Sequence, residues 1–154
     1  MKKRGLGVLI AVVSLIFVLS SCVLFKPWKV GKNWEGTVNI SLVTPNIATG
    51  NYSADITFKF EWLLGTSKIK GGTVELTRLA SQTEERATVE PYKFNITAGE
   101  YKEADSSLTF EAKEIDFHDI LEFAGTVVGK TISNGTVANT TTPVGTFTIS
   151  ERGS

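Results

Sequence analysis

The sequence predicts an all-β protein, an antiparallel up-and-down barrel of about eight strands, standing behind an N-terminal signal helix. Three observations carry that expectation. From Trp34 onward, apolar side chains recur with period two, the mark of strands that bury one face. Pairs such as Pro45-Asn46, Gly50-Asn51, Gly71-Gly72 and Gly129-Lys130 punctuate these runs at short intervals. Almost no stretch shows helical spacing. Short strands at regular intervals suit a barrel or a two-sheet sandwich, and the barrel is preferred because the last hairpins form a meander and closure removes exposed edges. The two-sheet β-sandwich is the alternative.

The chain opens with Lys2, Lys3 and Arg4, continues through an almost unbroken apolar run from Leu6 to Leu19, and reaches small residues before a cysteine. That is the layout of an export signal. A permanent membrane span needs about 20 apolar residues, and this run, interrupted by Ser14 and ended by Ser20-Ser21, is shorter. Leu19-Ser20-Ser21-Cys22 resembles the lipobox of bacterial lipoproteins. The resemblance implies cleavage between Ser21 and Cys22, lipid on Cys22 as the first mature residue, and a lipid-anchored, extracytoplasmic place in the cell envelope. Val23, rather than an aspartate, follows the cysteine, which favours the outer membrane if the cell has two.

Domain organisation follows: residues 1–21 as signal, 22–33 as tether and 34–154 as a single β domain. Without the signal, 133 of the 154 residues remain, a size suited to one core. The signal removes three of 16 basic residues and none of the 16 acidic ones, leaving a net charge of about −3. That balance argues against a nucleic-acid partner. Cys22 is the only cysteine, so no internal disulfide forms. In the tether, Pro27 and Gly31 discourage regular structure. Lys26, Lys29 and Lys32 would lie near lipid headgroups, each adding about 1 kcal/mol of attraction to an anionic surface, or simply keep a linker soluble. Trp28 would sit at the interface or cover one end of the domain.

The strands then follow in order. Gly36, Val38, Ile40 and Leu42 share one face of the first. Tyr52, Ala54, Ile56, Phe58, Phe60 and Trp62 form the inward face of the second, the clearest alternation in the chain. Gly71-Gly72 is read as a tight hairpin, followed by a third strand with Val74 and Leu76 inward. Ala80 to Arg86 reads as a loop. Arg86 to Ala98 reads as a fourth strand with Tyr92, Phe94 and Ile96 inward, and Pro91 inside it implies an edge or a bulge. Gly99 to Ser106 is read as a turn region, and Leu108, Phe110 and Ala112 mark strand five. Asp116-Phe117-His118-Asp119-Ile120-Leu121 breaks the rhythm and predicts at most one helical turn, capped by Asp116. Leu121, Phe123, Gly125 and Val127 mark strand six, and Gly129-Lys130 a hairpin. Ile132 and Val137 differ in parity, so strand seven needs a bulge near Asn134-Gly135. Gly145, Phe147 and Ile149 face inward on strand eight.

Trp34 at the opening of the first strand, eight strands, and Arg152 just beyond the last resemble the calycin group, which includes lipocalin-like and avidin-like barrels. The resemblance implies that Trp34 closes one end of the barrel and that Arg152 packs across it. Gly31 stands three residues before Trp34 rather than the family's two, and the lipocalin mid-chain motif is missing.

For chemistry, the best cluster is Asp116, His118, Asp119 and Glu122, since imidazole and carboxylates ligate divalent cations. With a single histidine and no second soft ligand, these residues read as capping and solubility devices, and neither a metal nor a cofactor is expected. No serine stands in a nucleophile context, so no catalytic residue is assigned. Tyr52, Phe58, Phe60, Trp62, Phe94, Phe110 and Phe147 either line a cavity for a small apolar or lipid ligand or fill the barrel solidly, as side chains do in small eight-stranded barrels. The function expected first is a noncatalytic envelope lipoprotein presenting a β domain to a protein partner or in a structural role. A binder of a small apolar ligand comes second, and an enzyme last.

Overall fold

Alternation in the sequence is realised as eight strands: β1 (Asn33–Ile40), β2 (Gly50–Leu63), β3 (Thr66–Arg78), β4 (Tyr92–Lys102), β5 (Ser107–Glu114), β6 (Ile120–Val128), β7 (Thr131–Asn139) and β8 (Thr142–Glu151). The computed structural model describes residues 30–42, 44–63, 66–79 and 90–153, and of 62, 63 and 66 the backbone alone. The signal, Cys22, Trp28, the Ala80–Arg86 loop and the side chain of Trp62 lie outside the described residues. Each strand pairs antiparallel with the next, and β1 pairs with β8 from Trp34↔Glu151 to Ile40↔Gly145, closing the sheet into a barrel. The sandwich alternative is thereby set aside, and no strand among those described is left with an unpaired edge.

Inward residues of every strand meet in one core that includes Trp34, Val38, Ile56, Phe58, Leu76, Phe94, Phe110, Phe123, Phe147 and Ile149. Burial of each large apolar side chain contributes about 1.5–3 kcal/mol. The inward parity expected for β2, β5, β6 and β8 is the parity observed.

Bulges account for several departures. Gly71-Gly72 is not a hairpin but lies inside β3, where Lys59 pairs with Gly71 and Phe60 with Ile69, so Lys70 is the extra residue. A Cβ on Gly72 (φ 138°) would stand 1.9 Å from the carbonyl oxygen of Thr57, so close strand approach, not a turn, requires the glycine. The β2–β3 connection comes earlier, between Leu63 and Thr66. In β4, Thr97 is the extra residue between the Ile96↔Ala112 and Ala98↔Glu111 pairs, which moves the inward face from Phe94 and Ile96 to Tyr101. Pairing therefore runs through Gly99 to Lys102, and the turn shrinks to Glu103–Ser106. Pro91 stands one residue before β4 and removes no ladder bond. The bulge expected in β7 is present: pairing with β8 slips between Ile132 and Gly135, and Asn134 takes a φ of 54°. Beyond β5, Ile115–Phe117 form a turn without helix. β1 stops at Ile40, leaving Leu42 exposed.

Both ends are covered. At the end bearing the termini, Trp34 is fully buried, its indole N–H donates to the carbonyl of Gly31 at 2.9 Å, and Val30 joins the core. The last residues of the stretch read as tether thus pack on the barrel. Arg152 does not cross this end. Its guanidinium turns to the outer wall, donating to Glu35 at 2.8 Å and Asp55 at 2.9 Å. Two directly opposed carboxylates, Glu35 and Asp55 in register on β1 and β2, would otherwise repel. They draw Arg152 outward and hold its guanidinium above its usual pKa.

Candidate functional site

Inside the barrel, four phenylalanines from β2, β5, β6 and β8 form a continuous ladder. Phe58 meets Phe110 edge-on at 5.1 Å, Phe110 stacks on Phe123 at 4.7 Å with planes 4° apart, and Phe123 meets Phe147 edge-on at 5.5 Å. Phe60 extends the ladder from Phe58 at 5.8 Å and is half-buried. Of the aromatic set read from the sequence, Tyr52, Phe58, Phe94, Phe110 and Phe147 are buried in the core. Phe123, absent from that set, is the ring that joins its halves. Tyr52 also anchors a loop, since its hydroxyl donates to the carbonyl of Ala48 at 2.6 Å and pins the β1–β2 connection. Burial, and then Tyr92 beside it, push this phenol above its usual pKa.

The far end of the barrel, opposite the termini, carries the β1–β2, β3–β4, β5–β6 and β7–β8 connections. In an eight-strand ring, the β1–β2 and β5–β6 connections lie diametrically opposite. The backbone N–H of Asn46 nevertheless donates to Oδ2 of Asp119 at 3.2 Å, so the β1–β2 loop crosses the mouth. Thr44 holds the crossing in shape, its hydroxyl accepting from the N–H of Ile47 at 3.0 Å. Ile47, 1% exposed, belongs to the core and plugs the mouth.

Beneath this crossing lies Glu114, the last residue of β5. Its parity with Leu108, Phe110 and Ala112 directs it inward, and it is 3% exposed. Oε2 has no hydrogen-bond partner. Burial first, then the carboxylates of Asp119 and Asp116, raise its pKa above the ordinary carboxyl range, because an unpaired charge is costly where water is excluded. The continued alternation of strand five signals Glu114 in the sequence, whereas a search for charged residues in the irregular segment alone misses it. Of the cluster read there, Asp116 and Asp119 gather near Glu114, while Glu122 stands on the outer wall in register with Glu111. His118, with a φ of 67°, is exposed in the connection. Among the described residues, no group of three or more His, Cys, Asp or Glu is arranged to hold a metal ion.

The same end gathers apolar side chains on its surface. Among the described residues, the exposed large apolar side chains are Leu42, Leu79, Ile115, Phe117 and Val128, and the first four all lie on far-end connections. Phe117, 62% exposed, is the only aromatic among them. On the outer wall, a depression of about 500 Å³ is lined by Glu35, Ser53, Asp55, Glu75, Thr77 and Arg152, and a shallower one of about 330 Å³ lies over Ala98, Thr109 and Ala124 between Glu100, Glu111 and Glu122. The aromatic ladder, the plugged mouth and the apolar rim place the accessible chemistry on the far end and the outer wall. Comparison of the chain with protein-family models, with curated proteins and with solved structures returns no match.

Proposed function

We propose that this protein is a noncatalytic lipoprotein of the bacterial envelope, anchored through lipid on Cys22, that presents the far end of its barrel to a protein partner. The observation that carries the reading is the segregation of exposed apolar side chains: Leu42, Leu79, Ile115 and Phe117 share the end opposite the termini. Soluble surfaces that collect apolar groups in one place are usually contact surfaces. An anchor at Cys22 lies on the chain just before the other end, so the far end would point away from the membrane. Kinship with calycins belongs to the same reading. The closed eight-stranded barrel and the buried Trp34 support it, and the outward Arg152 departs from it.

The ladder of Phe58, Phe110, Phe123 and Phe147 favours a filled barrel over a ligand cavity. Membrane fractionation with mass spectrometry of the N-terminal peptide, joined to native mass spectrometry of the protein from its own envelope, tests the proposal. A cleaved, acylated Cys22 and a protein free of small molecules are expected. An unmodified Cys22, or a stoichiometric apolar ligand lost on Phe60→Ala, overturns it, the second in favour of a ligand carrier.

A further inference from the structure

Resting on that reading, we infer that the far end of the barrel docks a polypeptide segment in which a basic side chain is flanked by apolar ones. Two independent features converge there. Leu42, Leu79, Ile115 and Phe117, on three different connections, offer apolar contact around one mouth. Glu114, Asp116 and Asp119 add three carboxyl groups on the short stretch that also bears Ile115 and Phe117. Among the described residues, none of these three forms an ion pair with a lysine or arginine, and Oε2 of Glu114 is buried without a partner.

Charge complementarity decides the occupant. An arginine or lysine reaching Asp119 replaces a single 3.2 Å bond from the Asn46 amide with a charge-assisted one. It also sets a positive charge beside Glu114, favouring ionisation of a carboxyl that burial first, and then its two acidic neighbours, now hold protonated more readily. Apolar groups beside the cation cover Phe117 and Ile115 and exclude water, which strengthens the charge pair. A second copy of the chain that seats the same patch on itself fits less well, because it would bring Asp116 and Asp119 of the two copies together. An anionic lipid surface is disfavoured for the same reason.

The test uses the full chain in zwitterionic lipid nanodiscs, empty nanodiscs as the blank, and two labelled probes: a leucine–lysine peptide and its leucine–glutamate counterpart. The lysine peptide should bind saturably and hasten hydrogen exchange at Asn46, whose amide loses its acceptor on Asp119. Phe117→Ser, and separately Asp116→Asn with Asp119→Asn, should each weaken it about tenfold, whereas Val128→Ser at the opposite end should not. Asp116, Phe117 and Val128 are exposed, Asp119 is half-buried, and asparagine at 119 keeps an acceptor for the Asn46 amide, so the barrel is expected to stay folded in each variant. Equal binding of the glutamate peptide, binding that survives these substitutions, or preference for anionic vesicles overturns the inference. If neither peptide binds while a photocrosslinker at position 117 reaches a protein in cells, the partner chemistry is wrong and the protein-presentation reading stands. If position 117 also reaches no protein, both fall.

Discussion

Truncating Phe123 to alanine asks directly whether the barrel is filled. Phe123 is 1% exposed and contacts two rings, stacked on Phe110 at 4.7 Å and edge-on to Phe147 at 5.5 Å. Removal of a buried phenylalanine costs about 3–5 kcal/mol when the surroundings cannot collapse. Each aromatic pair lost is worth about 0.5–1.5 kcal/mol beyond its buried area, so the upper part of that range is expected. Against a total stability of about 5–15 kcal/mol for a domain of this size, the variant loses about a quarter of its stability or more. Equilibrium urea unfolding, followed by far-ultraviolet circular dichroism and tryptophan fluorescence, measures the loss. Phe117→Ala, on the exposed rim, serves as the control and should change stability by no more than about 0.5 kcal/mol. A loss below about 1.5 kcal/mol for Phe123→Ala, with an unchanged denaturant slope, would refute the packing argument, because a ring facing an open cavity loses little on truncation.

Glu114→Gln tests the buried carboxyl. Since the folded state raises the pKa of Glu114, it binds that proton more tightly than the unfolded chain does. The wild type therefore loses stability as pH rises from the ordinary carboxyl range through the raised value. The variant should be the more stable by about 1–3 kcal/mol at neutral pH, with the difference closing below a pH of about 4. Parallel pH profiles would contradict the assignment. Gly72→Ala should lower stability by more than about 1 kcal/mol, because its Cβ has no room beside Thr57. Gly71→Ala, whose Cβ would stand 3.6 Å from the nearest carbonyl, should be tolerated, and equal effects would show that the bulge is misplaced.

Much of the barrel is legible in the sequence because a period of two is a direct consequence of strand geometry. Tyr52, Phe58, Leu108, Leu121 and Phe147 belong to the interior by parity alone, and the mismatch between Ile132 and Val137 demands a bulge that is present. Where parity changes silently, the sequence misleads. The extra residues Lys70 and Thr97 leave no mark of their own, so Gly71-Gly72 and Gly99 read as turns when in fact Gly72 and Gly99 permit close strand approach. The outward course of Arg152 depends on Glu35 and Asp55 meeting across β1 and β2, a register that separate strands do not disclose. The far-end site depends on which connections share one end and on a loop that crosses the mouth. Glu114 is visible by alternation, but its lack of a partner emerges only from the packing around it.

Site-specific photocrosslinking in cells separates presentation of the far rim to a protein from ligand carriage inside the barrel. A photoreactive phenylalanine analogue is placed at position 117 on the far rim or at position 128 on the β6–β7 hairpin beside the termini, both exposed. A discrete protein adduct is expected from position 117, disappearing when Asp116 and Asp119 are changed to asparagine, with no adduct to that protein from position 128. An adduct from position 128 alone, or none from position 117, would contradict that reading, and a small molecule found bound in the barrel would favour a ligand carrier instead.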